Sequence, residues 1–225
     1  MKKKIILFLF ISVVIFTYST IPQTEQSKSS FTIARVKYGG GGDWYTDPSS
    51  LPNLLNFIKE NTNIDVSTKE ARVEISDEVL FSHPYLYITG HGNIKFTNEE
   101  VDKLRTYLTG GGFLHADDCY GMDKSFRREM KRVFPDKEFV ELPFSHKIYR
   151  CIFEFENGLP KIHEHSGGPP HGYGLFYEGR MIVFYSFNTD LGDGWEDPDV
   201  HNDLQEKRIE ALKMGTNIVF WALTN

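Results

Sequence analysis

Five short stretches hold the residue types that do chemistry. "FLHADDCYG" (113–121) ends an apolar run on Asp117, Asp118, Cys119 and Tyr120 without a gap. Carboxylates there could move protons, hold a metal or cap a helix, and a thiol could attack as its thiolate. "GGGGDW" (39–44) offers Gly40, Gly41, Asp43 and Trp44, and "GHGN" (90–93) offers His91 and Asn93. "NTDLGDGWED" (188–197) is dense in acid, with Asp190, Asp193, Glu196 and Asp197 beside Trp195. "HEHSGGPPHG" (163–172) supplies His163, Glu164, His165 and His171.

Each stretch has a functional and a plain reading. Consecutive glycines let backbone N–H groups approach a ligand, or simply allow a sharp turn. No Walker lysine follows them, and no helix opens on a G-x-G-x-x-G, which disfavours a nucleotide phosphate. Trp44 and Trp195 could stack on a sugar or another flat ligand, or lid the core. His91, between two glycines, could be a general base, a metal ligand or a donor to its own loop. Asp117 and Asp118 adjoin, so their side chains diverge: one caps the next helix or binds loop amides, the other faces a cleft. Cys119 precedes a helix whose dipole favours a thiolate, but two neighbouring carboxylates oppose it. The turn also lacks a G-x-C-x-G frame. His115, inside the apolar run, reads as a core histidine. The H-x-H of His163 and His165, with His171 nearby, suits zinc or another divalent ion, or an ordinary surface loop. The acidic stretch lacks the register of a calcium loop.

These residues need a frame. Period-2 and apolar runs predict strands at 31–38, 71–75, 85–89, 113–116, 146–155 and 180–188. Helices are expected at 49–62, 97–112, 123–134 and 203–224, the second opened by a Thr97–Glu100 capping box. Alternation of the two predicts an α/β fold of three layers, a mainly parallel sheet with helices on both faces. Such sheets bind ligands at the carboxyl ends of their strands. Four of the five stretches follow strands, so they should share one rim.

The ends and the charge narrow the classes. Residues 1–20 carry Lys2, Lys3 and Lys4, then a 14-residue run (5–18) that is apolar except for Ser12 and Thr17, which reads as a signal peptide or N-terminal anchor. Residues 21–30 read as a polar linker and 31–225 as a single α/β domain. The chain is thus expected to be exported, periplasmic or anchored to the inner membrane by its N-terminus. Net charge is -6; without the three N-terminal lysines, 22 of the 25 basic residues face 31 acidic ones, or -9. That argues against nucleic acid as a partner, and against membrane contact other than through an uncleaved N-terminus. A small polar ligand or an envelope protein is the expected partner. Cys119 and Cys151 are the only cysteines, and in an exported chain their pairing stays open.

"YITGHGNIKFTNEEVDKLRTYLTGGGFLHADDCYG", with "FRREMKRVFPD", "LPFSHKIY" and "DLGDGWED", resembles a bacterial domain of unknown function, four-one-five-nine. The likeness covers about residues 31–224. It implies a class I glutamine amidotransferase-like, flavodoxin-like fold. The amidotransferase set of elbow cysteine and late His–Glu pair is not matched, because Asp117 or Asp118 stands nearest the elbow and Cys119 just beyond. A binding module without catalysis is therefore expected. The alternative is a hydrolase-like enzyme, metal-assisted through His91 and Asp117 or thiol-based through Cys119.

Overall fold

The computed structural model describes residues 30–164 and 166–225. The expected leader and nearly all of the polar linker, and His165, lie outside the described residues. Among the described residues no helix is long and apolar enough to cross a membrane.

In chain order the elements are β1 (Ala34–Lys37), α1 (Ser50–Asn61), β2 (Ala71–Glu74), β3 (Tyr85–Ile88), α2 (Asn98–Thr109), β4 (Phe113–Asp117) and α3 (Asp123–Val133). Then follow β5 (Val140–Glu141), β6 (His171–Tyr177), β7 (Arg180–Phe187), α4 (Leu191–Trp195), α5 (Pro198–His201) and α6 (Gln205–Thr224). The strands form one seven-stranded sheet in the order β2-β1-β3-β4-β7-β6-β5. β2, β1, β3, β4 and β7 run parallel. β6 is antiparallel to both β7 and β5. The expected three-layer α/β architecture is the observed one.

Alternation along the strands sorts the core into two layers. Leu86 and Ile88 of β3 and Leu114 and Ala116 of β4 face α2 and α3, through Leu104, Leu108, Phe126 and Met130. Tyr85 and Tyr87 of β3 and Phe113 of β4 face the other way, onto Leu54 and Ile58 of α1 and Met214 and Ile218 of α6. The Thr97–Glu100 capping box opens α2, as its spacing predicts.

One expected strand is absent. Residues 146–155 form a 3-10 turn (Lys147–Tyr149) and a loop under α6. Asn217 of α6 explains it: its Oδ1 accepts from the backbone of Ile152 and Phe153, and its Nδ2 donates to the Phe153 carbonyl. The donors a ladder would use are taken by a side chain. The sheet is extended instead by β6, whose glycines conceal it in the sequence. A Cβ on Gly172 would lie 2.0 Å from the Tyr149 hydroxyl, so only glycine fits there.

Candidate functional site

Because β1, β3, β4 and β7 are parallel, the loops that follow them meet at one edge. The first two interlock through main chain. Gly42 N–H donates to the Asn93 carbonyl, Asp43 N–H to the His91 carbonyl, and Lys95 N–H to the Gly39 carbonyl. A Cβ on Gly40 would sit 2.7 Å from the Asn93 carbonyl oxygen, and one on Gly90 2.2 Å from the Tyr38 hydroxyl. The glycines thus serve loop-to-loop contact. β1 and β3 are also the pair at which the strand order reverses, the usual place for a ligand crevice.

His91 and Asp43 form a dyad on this crevice. The Asp43 carboxylate accepts from the His91 backbone N–H, and its Oδ2 lies 3.1 Å from His91 Nδ1. The imidazole is half exposed. Asn93 spends its amide on the loops, donating to the Gly40 carbonyl and accepting from Arg128. Trp44 is partly buried, with the Lys37 ammonium 5.7 Å from its ring centroid. Beside it opens a cavity of about 650 Å³, lined by Lys37, Gly39, Gly40, Trp44 and Lys95, with Glu74 and Glu100 at its border.

Beneath the β4 and β7 loops lies a buried acidic cluster. Asp117 is fully buried; its Oδ2 accepts from Gly192 N–H at 2.6 Å and its Oδ1 from the Ser186 hydroxyl at 2.5 Å. Burial, reinforced by Asp193 and Asp47, raises its carboxyl from 3.8 to about 7. Asp118 is raised to about 7, by burial and then Asp123. Its Oδ1 is buried without a hydrogen-bond partner. Asp190, in a left-handed turn, is pushed to about 9 by burial and the neighbouring carboxylates, and Asp47 to about 6. Glu196 accepts from Ser49 and Ser50 N–H, anchoring the start of α1 to the β7 loop. The cluster is structural in its contacts. Neither adjacent aspartate caps α3, whose N-cap is Met122 without a side-chain bond.

Cys119 does not face the crevice. Its Sγ lies 3.2 Å from Thr89 Oγ1 and 3.6 Å from Asp47 Oδ2, and it is buried. Burial and three carboxylates push the thiol well above its ordinary range. Only a thiolate attacks. A native chain should therefore react with an aromatic disulfide reagent at Cys119 at least about a hundredfold slower than the same chain in urea; labelling at the free-thiol rate would show an open, activated cysteine. Cys151 lies elsewhere, 3.3 Å from the Asn217 carbonyl, and both cysteines are free.

Other expected site residues are dispersed. Trp195 is fully buried, its indole N–H donating to the Ala211 carbonyl, and no ring face is left for a ligand. Tyr120 is exposed on the β4 loop. His171 opens β6, 2.7 Å from Glu141 at the far end of the sheet. His163 instead joins Asp193, Asp203 and His201, the last two unmarked by any motif in the sequence. His115 is a core histidine between Tyr85 and Ser186, lowered to about 3 by burial.

A family model described as "Domain of unknown function (DUF4159)" matches residues 32–223. No curated protein matches the chain.

Proposed function

The chain belongs to that family, and from this premise we propose that it is an exported domain that binds a small polar ligand, without turning it over, in the crevice at the carboxyl ends of β1 and β3. The observation that carries the reading is the 650 Å³ cavity beside the interlocked glycine loops, with Trp44 as an apolar wall and Lys37 and Lys95 as donors. Two lysines against Glu74 and Glu100 suit a ligand with both signs of charge or many hydroxyls rather than a polyanion. The lack of turnover is supported by the candidate reacting groups, none of which lines the cavity. The Asp43–His91 pair has the form of an oriented base. Yet the Cys119 thiol is buried against Thr89 and Asp47, and Asp117 is fully buried with its oxygens held by Ser186 and Gly192. That weakens both hydrolytic alternatives, thiol-based and metal-assisted through His91 and Asp117.

The strand order β2-β1-β3-β4 followed by β7 supports the narrower flavodoxin-like, class I glutamine amidotransferase-like reading of the fold. The basic and apolar N-terminal segment supports export of a single domain at 31–225, with a periplasmic or anchored location. An envelope protein is the second candidate partner, presented with the same rim.

The test is a thermal-shift screen of the purified chain against amino acids, sugars and small dicarboxylates, followed by calorimetry on any compound that stabilises it. Trp44→Ala and Lys95→Ala should each weaken binding about tenfold or more, with the compound recovered unchanged. A stabilising compound whose affinity ignores both substitutions, or one that is converted, would overturn the proposal.

A further inference from the structure

A second group of side chains sits away from that crevice, on the α6 side of the β7 loop. His163 comes from the loop before β6, Asp193 from α4, His201 from the end of α5, and Asp203 from the link to α6. His163 Nδ1 lies 2.8 Å from Asp193 Oδ2. Its Nε2 lies 3.0 Å from both oxygens of Asp203. His201 Nε2 lies 3.8 Å from Asp193 Oδ1, and the two imidazoles meet edge to face at 5.0 Å.

A neutral imidazole has one N–H and one lone pair. Two carboxylates on opposite nitrogens of His163 cannot both be served by it. If Nε2–H is shared by the Asp203 oxygens, the Nδ1 lone pair points at a carboxylate oxygen. Only a cation between them makes that contact favourable, either a proton or a metal ion. The remainder of the arrangement selects the metal. Asp203 stands where an outer carboxylate stands behind a metal-bound histidine, fixing its tautomer and raising its basicity. Donor atoms of His163, Asp193 and His201 all lie within 4.8 Å of one another. Tetrahedral zinc with bonds of about 2.0–2.1 Å needs such atoms roughly 3.3–3.5 Å apart. The His163–Asp193 pair, at 2.8 Å, must open slightly and His201 must close in, which it can do because it is about a third exposed on a four-residue helix. Two neutral imidazoles, one bound carboxylate and one outer carboxylate also balance the two charges of the ion.

We infer that His163, Asp193 and His201 form a binding site for a divalent transition metal of the zinc type, with Asp203 as the outer carboxylate of His163. Two nitrogen donors favour zinc over calcium or magnesium, which take oxygen. A fourth position is left for water or an external ligand.

A competing donor group shares one member. Asp47, Cys119 and Asp193 are also within mutual reach. Cys119→Ser and a cobalt spectrum separate the two, since a thiolate ligand gives a near-ultraviolet charge-transfer band and imidazole does not.

The experiment is calorimetric titration of the metal-stripped full chain with zinc, and its cobalt spectrum. One equivalent should bind. His163→Gln and His201→Ala should each abolish that binding, and Asp203→Asn should weaken it about 10–100-fold. Cys119→Ser should leave it unchanged, and the cobalt spectrum should lack the thiolate band. Far-ultraviolet circular dichroism of every variant keeps loss of binding distinct from loss of fold, and His201→Ala, at a partly exposed helix end, is the variant least able to unfold the chain. The inference is overturned by no zinc uptake in the wild type, by uptake that survives both histidine substitutions, or by a thiolate band. None of these outcomes bears on ligand binding in the β1–β3 crevice.

Discussion

Arg35→Met lowers the stability of the chain by about 3–5 kcal/mol, the cost of removing one member of a buried ion pair. Arg35 lies in the middle of β1 and is 1% exposed. Its Nε donates to Glu70 at 3.0 Å, its Nη1 to the Thr46 carbonyl at 2.8 Å, and its Nη2 to the Asp47 carbonyl and Ser50 hydroxyl. The guanidinium also stands 5.6 Å from the Tyr87 ring centroid. Methionine replaces the stem, strips the Thr46 carbonyl of its donor and leaves Glu70 with only the half-exposed Arg72 as its cation, while the Asp47 carbonyl keeps its bonds from Ser50. The loop at Thr46 and Asp47 then loses its tie to β1, with Asp47 already in the left-handed region at φ 54. At about 2–4 °C per kcal/mol for a chain of this size, the melting temperature falls by roughly 10 °C. Urea denaturation at pH 7 measures it. Arg35→Lys should recover only part of the loss, because an ammonium cannot reproduce the fork. A midpoint unchanged in Arg35→Met would mean that the network contributes nothing net.

Asp117→Asn has the opposite sign, with a gain that grows from about pH 4 and is nearly full by about pH 7. The Asp117 carboxyl is raised from 3.8 to about 7, first by burial. A group whose folded pKa exceeds its unfolded value binds more protons in the native state between the two. Its stabilisation is complete below the unfolded value and is lost as pH rises through the folded one. Asp118 near 7 and Asp190 near 9 act in the same direction. The wild type should therefore melt at progressively lower temperature from about pH 5 to pH 9. Asparagine is neutral throughout. Its oxygen can still accept from Gly192 N–H, and its nitrogen can donate to Ser186 Oγ, whose proton, given to Asp117 in the wild type, can then turn to the Ala116 carbonyl. At about 1.4 kcal/mol per decade, the variant should gain on the order of 2–4 kcal/mol over the wild type at pH 8 and show a shallower pH profile. Parallel profiles for the two chains would remove Asp117 from the account.

What the sequence shows of this molecule follows from which forces are local. The capping box of α2, the amphipathic faces of α1 and α3 and the apolar runs of β1, β3 and β4 are set by near neighbours, and all of them are legible. The strand at 146–155 fails because Asn217, more than sixty residues away, takes its backbone donors. β6 is hidden for a related reason: its glycines answer to Tyr149 and Met181, not to any strand preference. The same division runs through the site. Placing four loops on one rim needs only strand polarity. Telling that Trp195 is core while Trp44 borders a cavity needs the position of α6, whose Ala211 carbonyl takes the Trp195 N–H. The grouping of His163 with His201 and Asp203 has no sequence period at all, since three separate segments supply it.

The run of four glycines has one more consequence, for how such a chain can change over generations. Its members are not interchangeable. Gly40 and Gly42 are blocked by the opposite loop, at 2.7 Å from the Asn93 carbonyl oxygen and 2.8 Å from that of His91. Gly41 faces open space, and what bars a side chain there is its φ of +93. Gly39 meets only ordinary contact at 3.4 Å. Drift can therefore begin at Gly39, can admit at Gly41 only residues that tolerate the left-handed region, and stops at Gly40 and Gly42 unless the 90–93 loop retreats in the same step. Descendants that acquire a different ligand are thus expected to have changed what stands around the loops, at positions such as Lys37, Trp44 and Lys95, while the meeting of the two backbones is inherited intact.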